Sequence, residues 1–313
     1  MGDVVHALPL AVDIAHALPA ARIDWLCEEA FASIPRLIRH VDEVHQVALR
    51  RWRKRPFDTS VWREVRIAKS AMRAARYDLV LDVQGLAKSA WLARWTGAEV
   101  AGFDSSTARE AIAARFYQRR FEVPRSLHAI ERCRRLGAAA LGYSINGAPR
   151  FGIASTTAPD SDTSEKAAVL LVNASRATKL WDAEGWLAVE RWLVQQGMAS
   201  ILFCGTAAER ARGELLASRM QRATVQPPAS LASIAAALST APIVIGLDTG
   251  LTHLAAALGR PTVGIFCDYD PALVGLTADA DAGNAVASVG SAVAAPSATE
   301  VIDAAARVMN RQQ

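Results

Sequence analysis

Short apolar runs alternate with longer helical patterns along most of the chain, and this alternation restricts the possible folds more than any other sequence feature. The runs that resemble strands are Ile23–Cys27, Val44–Ala48, Leu79–Val83, Ala168–Val172, Ser200–Cys204, Ile243–Leu247 and Thr262–Phe266. The segments that resemble helices are Val61–Arg76, Ala183–Gln196, Ala207–Arg222 and Leu231–Leu238. Strands that alternate with helices predict parallel sheets with helical crossovers, and therefore an α/β protein.

The length of 313 residues suits two such domains, and a content of 51% hydrophobic against 21% charged residues excludes intrinsic disorder. The stretch from Arg150 to Lys166 is polar and rich in Ser and Thr, so we interpret it as an exposed linker. We therefore predict an N-terminal domain over 1–150, a C-terminal domain over 151–297 and a closing helix over 298–313. Two α/β domains predict a ligand cleft at the carboxyl ends of their strands.

One uncharged stretch, from Ala223 to Leu247, has the length of a membrane span. Three prolines interrupt it, so a buried helix followed by a buried strand is the better interpretation. The N-terminus lacks the pattern of a secretory signal. We therefore expect a soluble or peripheral protein.

The charge is distributed unevenly. Residues 1–150 carry 24 Lys and Arg against 16 Asp and Glu, whereas the remaining residues carry 11 against 15. The run from Arg50 to Arg55 contains five cations around one tryptophan. This run is either a solvated face or a clamp for phosphates and carboxylates. Nucleic acid is a further alternative, but no helix-turn-helix, RRM-like or zinc signature supports it. The asymmetry predicts that the N-terminal half meets an anionic partner.

Polar motifs follow several of the predicted strands. The strongest is Asp248-Thr249-Gly250, where a strand passes directly into a helix whose free N–H groups would form an anion site. Lys179, after another strand, could neutralise a diphosphate, and Glu209 stands where an acid often binds ribose hydroxyls. Each motif has a structural alternative, such as a helix cap or a core histidine. No GxxxxGK[ST] or GxGxxG motif occurs at these turns, which counts against P-loop NTPases and NAD(P) enzymes.

Two further motifs have similarly open interpretations. Gly2 and Asp3 stand at the head of a helical pattern, where Asp3 is either a cap or a reactive group. The segment Asp82–Ser89 leaves a strand and suits a ligand, although Gln84 and Lys88 could equally cap the turn. No strand precedes the Gly2-Asp3 motif, although a Rossmann-like half normally begins with its central strand.

Together these motifs resemble the heptosyltransferase family of lipopolysaccharide core assembly, in its heptosyltransferase I branch. The matching segments run in order along the chain: Met1–Val4 with His6, Leu8 and Pro9, then Asp24-Trp25 with Glu28-Glu29, Arg50–Lys54, Asp82–Ala90, Thr107–Glu110, Lys179–Trp181 and Asp248–Leu254. The resemblance implies a GT-B fold, in which two Rossmann-like domains face each other across a cleft. The chain departs from the family pattern in two places. The family's first strand is missing before Met1, which we interpret as a misassigned start, and Ala174 and Ser175 stand where the family has two threonines.

The resemblance also implies the reaction. An inverting enzyme would transfer L-glycero-D-manno-heptose from ADP-heptose to the Kdo residue of Kdo2-lipid A, in the inner core of lipopolysaccharide. The enzyme would be peripheral, on the anionic cytoplasmic face of the inner membrane, without a metal, another cofactor or nucleic acid. The alternatives are a related nucleotide-sugar glycosyltransferase with another acceptor, such as a heptosyltransferase II, or a non-catalytic nucleotide-sugar binding protein. The joint presence of Asp3, Lys179 and Asp248 favours an enzyme.

The resemblance further assigns roles to single residues. Asp3 matches the general base, and Lys179 matches the group that neutralises the departing diphosphate. The residues expected to bind the donor are Ala174, Ser175, Lys179, Glu209, Asp248, Thr249, Gly250 and His253. The residues expected to bind the acceptor are Arg50, Arg51, Arg53, Lys54, Arg109 and Arg132.

Overall fold

The computed structural model describes residues 1–154 and 167–311, so positions 155–166 of the predicted linker lie outside the described residues. The chain divides into two compact units. The N-terminal unit is His6–Gly147, and the C-terminal unit combines Met1–Val5 with Ala148–Gln313. The division falls between Gly147 and Ala148, whereas the predicted domain boundary follows residue 150.

The helices and strands of the first part of the chain alternate as in an α/β protein. Their bounds are α1 Gly2–Ala17, β1 Asp24–Glu28, β2 Glu43–Val47, α2 Leu49–Trp52, α3 Thr59–Ala74, β3 Leu79–Asp82, α4 Ala87–Ala93, β4 Glu99–Phe103, β5 Arg119–Phe121 and α5 Ala129–Leu141. The first turn of α1 is grouped with the C-terminal unit.

The five strands of the N-terminal unit form two parallel sheets, β1-β2 and β3-β4-β5. The described strands of this unit do not form a single continuous sheet. The first described element is α1 rather than a strand, which agrees with the absence of a strand pattern before Gly2 and Asp3 in the sequence. Helices α1 and α5 pack against both sheets, since Leu10 and Cys133 share one core cluster with Trp25 of β1 and Leu81 of β3. The core of this unit is divided among several such clusters.

The second part of the chain continues the alternation. Its elements are β6 Ala167–Leu171, α6 Ala183–Gln195, β7 Ala199–Leu202, α7 Ala207–Ala217, β8 Ala223–Val225, α8 Leu231–Thr240, β9 Val244–Leu247, α9 Gly250–Ala257, β10 Thr262–Phe266, α10 Pro271–Val274, β11 Val286–Gly290 and α11 Ala298–Asn310.

The C-terminal unit contains one parallel sheet with the strand order β8-β7-β6-β9-β10-β11. The order reverses between β6 and β9, the topological switch point of a doubly wound fold. Because helices cover both faces of such a sheet, its central strands are apolar without alternation, as in β9, where every residue is buried. Helix α11 closes the core through Val301, Ala305 and Val308. The α/β fold expected from the sequence is confirmed.

Several element boundaries differ from the prediction. The helix predicted over Ala207–Arg222 ends at Ala217, and the short strand β8 follows it. The uncharged stretch from Ala223 to Leu247 contains the predicted helix and strand, as α8 and β9, and in addition the short strand β8. No helix among the described residues has both the length and the apolar content needed to span a membrane.

Candidate active site

Two loops of the C-terminal unit begin at the switch point of its sheet. The loop after β6 carries Lys179, and the short turn between β9 and α9 carries Asp248. Because β6 and β9 are neighbouring parallel strands, their carboxyl ends lie at the same edge of the sheet. The fold thereby brings together two side chains that are 69 residues apart in the sequence.

Asp248 is the centre of a buried cluster of charged groups. Lys179 Nζ forms an ion pair with Asp248 Oδ2 and donates a second hydrogen bond, of 3.2 Å, to the carbonyl oxygen of Asp248. His253 Nε2 lies 3.1 Å from Asp248 Oδ1. The side chains of Lys179, Asp248 and His253 are 15%, 10% and 5% exposed. The structure thus places these three predicted donor-binding residues in one site.

The two partners fix the protonation state of Asp248. Burial by itself would raise the pKa of this carboxyl, but hydrogen bonds from His253 and Lys179 outweigh burial and lower the pKa to about 2. At neutral pH the side chain is therefore a carboxylate, which only accepts hydrogen bonds and suits the hydroxyl groups of a sugar.

The N-terminus of α9 is suited to bind an anion. Thr249 is the N-cap residue, and its side chain makes no cap hydrogen bond. Its hydroxyl lies 3.2 Å from Oγ1 of Thr252, which itself donates to the carbonyl oxygen of Leu247 over 2.6 Å. Uncapped N–H groups and the helix dipole together attract negative charge such as a phosphate.

Gly250 allows the first turn of α1 to lie directly against α9. A Cβ atom at position 250 would lie 2.4 Å from Cβ of Met1 and 2.8 Å from the backbone nitrogen of Gly2. Any larger residue would therefore push the start of α1 away. Asp3 lies in this same turn of α1 and in the same unit, so the predicted base is close to the predicted pyrophosphate turn.

The other predicted donor contacts lie outside this cluster. Ala174 is packed against the core, and Ser175 is exposed in the loop after β6. Glu209 forms a capping box at the start of α7, where its Oε2 accepts hydrogen bonds from the N–H groups of Gly205 and Thr206. The structure thus gives Glu209 a part in helix α7, and its contact with a ribose stays a prediction.

Asp268, which follows β10, is a site residue that the sequence analysis missed. Its Oδ2 accepts a 2.6 Å hydrogen bond from Thr178 and forms a 3.4 Å ion pair with Arg176. Its Oδ1 is buried and has no hydrogen-bond partner among the described residues. Asp268 therefore anchors the loop that carries Lys179. The signal that could have revealed it is a carboxylate two residues after the end of an apolar strand, a pattern close to the one that identified Asp248.

In the N-terminal unit, the basic run from Arg50 to Arg55 begins in α2. Arg51 is engaged within the fold, because its guanidinium forms ion pairs with Glu29 at 3.1 Å and with Glu64 at 2.9 Å. These pairs are partly exposed, so salt and solvent screen them. The structure therefore gives Arg51 two protein partners, and binding of an acceptor by its side chain would compete with them.

The remaining predicted acceptor residues fall into two groups. Around α2, the guanidinium of Arg50 lies 5.5 Å from the centre of the Phe31 ring, and Arg53 and Lys54 are exposed. Around the segment Thr107–Arg109, Arg132 donates a 2.6 Å hydrogen bond to the carbonyl oxygen of Thr107, and Arg109 is exposed.

The carboxylate of Asp82, the first residue of the segment Asp82–Ser89, accepts hydrogen bonds from groups of the protein itself. The carboxylate accepts from the hydroxyls of Tyr117 at 2.7 Å and Ser89 at 2.8 Å, and from the N–H groups of Gln84 at 3.0 Å and Gly85 at 3.3 Å. Burial raises the pKa of Asp82, and these hydrogen bonds offset the rise in part. Of the two interpretations of this motif, a ligand site or a structural turn, these contacts favour the structural turn.

One group of potential metal ligands occurs among the described residues, at the first residues of β1 and β2. It consists of Asp24, Glu43 and His45. Arg22 forms ion pairs with both carboxylates, and Tyr77 donates a 2.8 Å hydrogen bond to Asp24. These groups lie at the amino ends of their strands, whereas ligands of doubly wound sheets bind at the carboxyl ends. We therefore do not assign this group to the candidate active site.

Comparisons with other proteins identify the family of the chain. Residues 65–293 match the model of glycosyltransferase family 9 (heptosyltransferase). The chain is 40% identical over 277 residues to lipopolysaccharide heptosyltransferase 1 of Pseudomonas aeruginosa, covering 88% of this chain and 78% of the relative. The solved structure of the Escherichia coli heptosyltransferase WaaC with ADP covers 100% of this chain and 97% of its own, at 34% identity and a TM-score of 0.86. A second WaaC structure, with ADP-2-deoxy-2-fluoro heptose, has a TM-score of 0.81 with the same coverage. The chain therefore has the GT-B fold of these enzymes and belongs to glycosyltransferase family 9, the heptosyltransferases.

Proposed function

We propose that this glycosyltransferase transfers L-glycero-D-manno-heptose from ADP-heptose to the Kdo residue of Kdo2-lipid A, with inversion, in the assembly of the lipopolysaccharide inner core. The observation that carries this proposal is the cluster of Lys179, Asp248 and His253 beside the uncapped start of α9. The names of the relatives, heptosyltransferase 1 and a WaaC bound to ADP, support the same donor and step.

The donor would be held by positively charged groups at its diphosphate and by a carboxylate at its heptose. The N–H groups after Thr249 and the ammonium of Lys179 would face the diphosphate, because both carry positive charge. Asp248, which is ionised at neutral pH, would accept hydrogen bonds from the heptose hydroxyls. Glu209 would contact the adenosine ribose, and the loop of Ala174 and Ser175 would contact the phosphates.

The chemical step requires one proton acceptor and a stabilised leaving group. The acceptor hydroxyl oxygen would form a new bond to the anomeric carbon from the face opposite the diphosphate, while the bond from that carbon to the diphosphate oxygen breaks. The hydroxyl proton would pass to Asp3, and the electron pair of the broken bond would leave with ADP. Lys179 would stabilise the charge that develops on ADP. Since these groups supply the base and the positive charge, the proposal includes no metal or other cofactor.

The acceptor would be bound by the N-terminal unit. Phosphates and the carboxylates of Kdo are anionic, and residues 1–150 carry the excess of cations. Arg53, Lys54 and Arg109 are exposed and would contact these groups, together with Arg50, Arg51 and Arg132. We also propose that the enzyme is peripheral to the cytoplasmic face of the inner membrane, where a lipid acceptor is accessible.

The test of the proposed reaction is Asp3→Ala, assayed with ADP-heptose and Kdo2-lipid A. We expect turnover to fall by about 10²–10⁴-fold, because a general base contributes that much. The affinity for ADP should stay nearly unchanged, because the contacts of Lys179 and α9 remain. Asp303→Ala, which changes an exposed acid of α11, is the matched control and should have full activity.

Two outcomes would contradict the proposal. Turnover of Asp3→Ala at the level of the Asp303→Ala control would remove Asp3 from its role as base. If the unchanged chain instead transfers heptose only to an acceptor that already carries one heptose, the heptosyltransferase II alternative would replace the proposed acceptor.

A further inference from the structure

Helix α3 and the residues before it expose an unusual number of large apolar side chains. Phe57 is 96% exposed, Trp62 58% and Ile67 63%. These are three of the nine large apolar side chains that are exposed in the described part of the chain, and they fall within 11 residues of sequence. Single exposed apolar residues are ordinary, whereas a concentration of them at one place marks an interaction surface.

The orientation of α3 explains this exposure. Val61 and Met72 are buried, and Val65 and Ala68 pack against the same cluster, so one face of the helix belongs to the core. Trp62 and Ile67 lie on the face that the core leaves uncovered. The indole N–H of Trp62 donates a 2.9 Å hydrogen bond to the carbonyl oxygen of Pro56. This hydrogen bond holds the ring in its position at the surface.

The same outer face carries only positive charge. Its exposed ionisable residues are Arg63, Arg66, Lys69 and Arg73, preceded in the loop by Arg55. Two acids occur within residues 55–76, all of which the structure describes, and both have partners within the protein. Asp58 caps α3 by accepting from the N–H group of Ser60, and Glu64 pairs with Arg51. We call the outer face the α3 surface; its members are Arg55, Phe57, Trp62, Arg63, Arg66, Ile67, Lys69 and Arg73.

A neighbouring depression extends the α3 surface. It is lined by Lys69, Trp91, Arg94, Trp95, Arg115 and Phe116. Trp91 is 48% exposed, and both arginines are exposed. Exposed aromatic rings and cations therefore continue beyond α3. This combination suits the interfacial region of a bilayer, in which aromatic rings and the aliphatic stems of basic side chains are partly immersed.

We propose that the α3 surface docks the protein on an anionic phospholipid bilayer. The cations would lie at the level of the lipid phosphates, and Phe57, Trp62 and Ile67 would enter the boundary between headgroups and acyl chains. This inference rests on the proposed peripheral location and adds the surface that would produce it.

Other occupants fit the α3 surface less well. A second copy of the same surface would bring like charges together, which opposes association. Single-stranded nucleic acid binds through bases that stack on aromatic rings, and the aliphatic Ile67 offers no such ring. A lipid boundary accepts aromatic and aliphatic side chains alike, so it is the occupant that the composition of this surface favours.

The test is cosedimentation of the intact chain with vesicles of phosphatidylcholine that contain about one third phosphatidylglycerol. We expect binding to these vesicles and little binding to pure phosphatidylcholine. The variant F57S/W62S/I67S removes the apolar contacts, and R63E/R66E reverses two charges without altering the apolar residues. Each should lower the partition coefficient by about tenfold or more, since one cation near an anionic surface contributes about fivefold.

Matched controls lie in the C-terminal unit. Leu215→Ser changes an apolar side chain that is 69% exposed, and R191E/R311E reverses two exposed cations. Both should bind vesicles as the unchanged chain does. The proposal would be overturned if the unchanged chain did not bind the vesicles, or if R63E/R66E bound them as well as the unchanged chain does. It would also be overturned if the controls lost as much binding as the α3 variants. If the chain binds vesicles only weakly in the absence of RNA, and a short RNA abolishes that binding, the α3 surface would be assigned to nucleic acid instead.

The proposed reaction is measured separately, with a water-soluble acceptor that lacks the acyl chains. Both α3 variants should transfer heptose to it at the rate of the unchanged chain, because none of their substituted residues belongs to the proposed catalytic or substrate-binding set. If vesicle binding follows the pattern above but no heptose is transferred, the docking surface stands and the proposed function fails. If heptose transfer to this acceptor falls with vesicle binding, the α3 surface binds acceptor rather than bilayer.

Discussion

Asp82 in the N-terminal unit and Asp248 in the C-terminal unit occupy equivalent places in the two halves of the molecule. Each carboxylate stands at the end of a parallel strand, shortly before a glycine and a helix. In the part of the chain that the structure describes, the hydrogen bonds to Asp82 come from neutral donors, and burial raises its pKa. Asp248 has Lys179 and His253 as partners, and its pKa is lowered to about 2.

The difference between the two carboxylates separates a structural role from a functional one. All described hydrogen bonds of Asp82 connect parts of its own turn and the neighbouring Tyr117. Around Asp248, by contrast, a lysine, a histidine and an uncapped helix start are assembled from separate segments. Perturbed pKa values occur at functional sites and in structural networks alike, so the partners of each carboxylate, rather than the direction of its pKa shift, distinguish the two.

Among the changes that test this comparison, replacement of Lys179 should have the largest effect on activity. We expect Lys179→Met to lower turnover by about 10²–10³-fold, because the diphosphate loses a preorganised positive group. Lys88→Met is the matched control, since Lys88 is exposed in the Asp82 motif. We expect it to retain the rate of the unchanged enzyme in an ADP-release assay. Similar losses in both variants would erase the distinction between the two motifs.

The pH dependence of stability should distinguish the two carboxylates next. The pKa of Asp248 in the folded state, about 2, lies below the value of about 3.9 for an unfolded aspartate. Its contribution, about 2 kcal/mol, is therefore present above about pH 4 and is lost as the pH falls through about 2. Denaturant unfolding of Asp248→Asn and of the unchanged chain should show a gap in unfolding free energy that narrows over this range. A gap that is constant with pH would mean that the carboxylate is not held in its ionised form.

Asp82 should behave in the opposite way. Because burial raises its folded-state pKa, the folded chain favours the protonated form of Asp82; this contribution to stability is fully present below the unfolded pKa and is lost as the pH rises through the folded-state pKa. Asp82→Ala should cost about 1–3 kcal/mol, since the hydroxyls of Tyr117 and Ser89 lose an acceptor. Asp82→Asn keeps the shape and should cost less, with unchanged turnover at saturating donor. A loss of turnover in Asp82→Asn without a loss of stability would give this carboxylate a functional role.

The smallest effect should come from Asp268, which anchors the Lys179 loop from outside the cluster. Asp268→Asn keeps an acceptor for Thr178 but removes the ion pair with Arg176. We expect KM for the donor to rise about threefold to tenfold with little change in kcat, because the loop is held less firmly around bound phosphates. Arg176→Gln should reproduce this change, and the double variant should add little to either. Additive losses would show that the two residues act independently.

The sequence predicted the buried part of this fold well. The runs assigned to β6, β9 and β10 are close to the observed strands, because both faces of these strands are covered and their residues are continuously apolar. Strands β5 and β8 were missed because they are three-residue edge strands. Strand β11 and the mostly buried strand β4 were also missed, because small residues and a glycine weaken the pattern of each.

The site was predicted only in its local parts. The strand, glycine turn and helix after Asp248 are neighbours in the sequence, so their pattern was visible. The pairing of Asp268 with Arg176 and Thr178 spans about 90 residues and depends on the order of strands in the sheet, which the sequence does not display. The sequence left the Asp82 motif open, because a polar turn after a strand has the same local pattern whether its hydrogen bonds go to a ligand or to the protein.

The division of the N-terminal strands into two sheets has a consequence for the rate of hydrogen exchange. Strands β1 and β3 each have one ladder partner among the described residues, whereas β6 and β9 have partners on both sides. Most residues of β1 and β3 are also partly accessible, whereas those of β6 and β9 are nearly all buried. Amides along the unpaired edges of β1 and β3 can therefore exchange with deuterium after small local fluctuations, while those of β6 and β9 exchange after larger openings. Of these four strands, β1 and β3 would thus take up deuterium before β6 and β9.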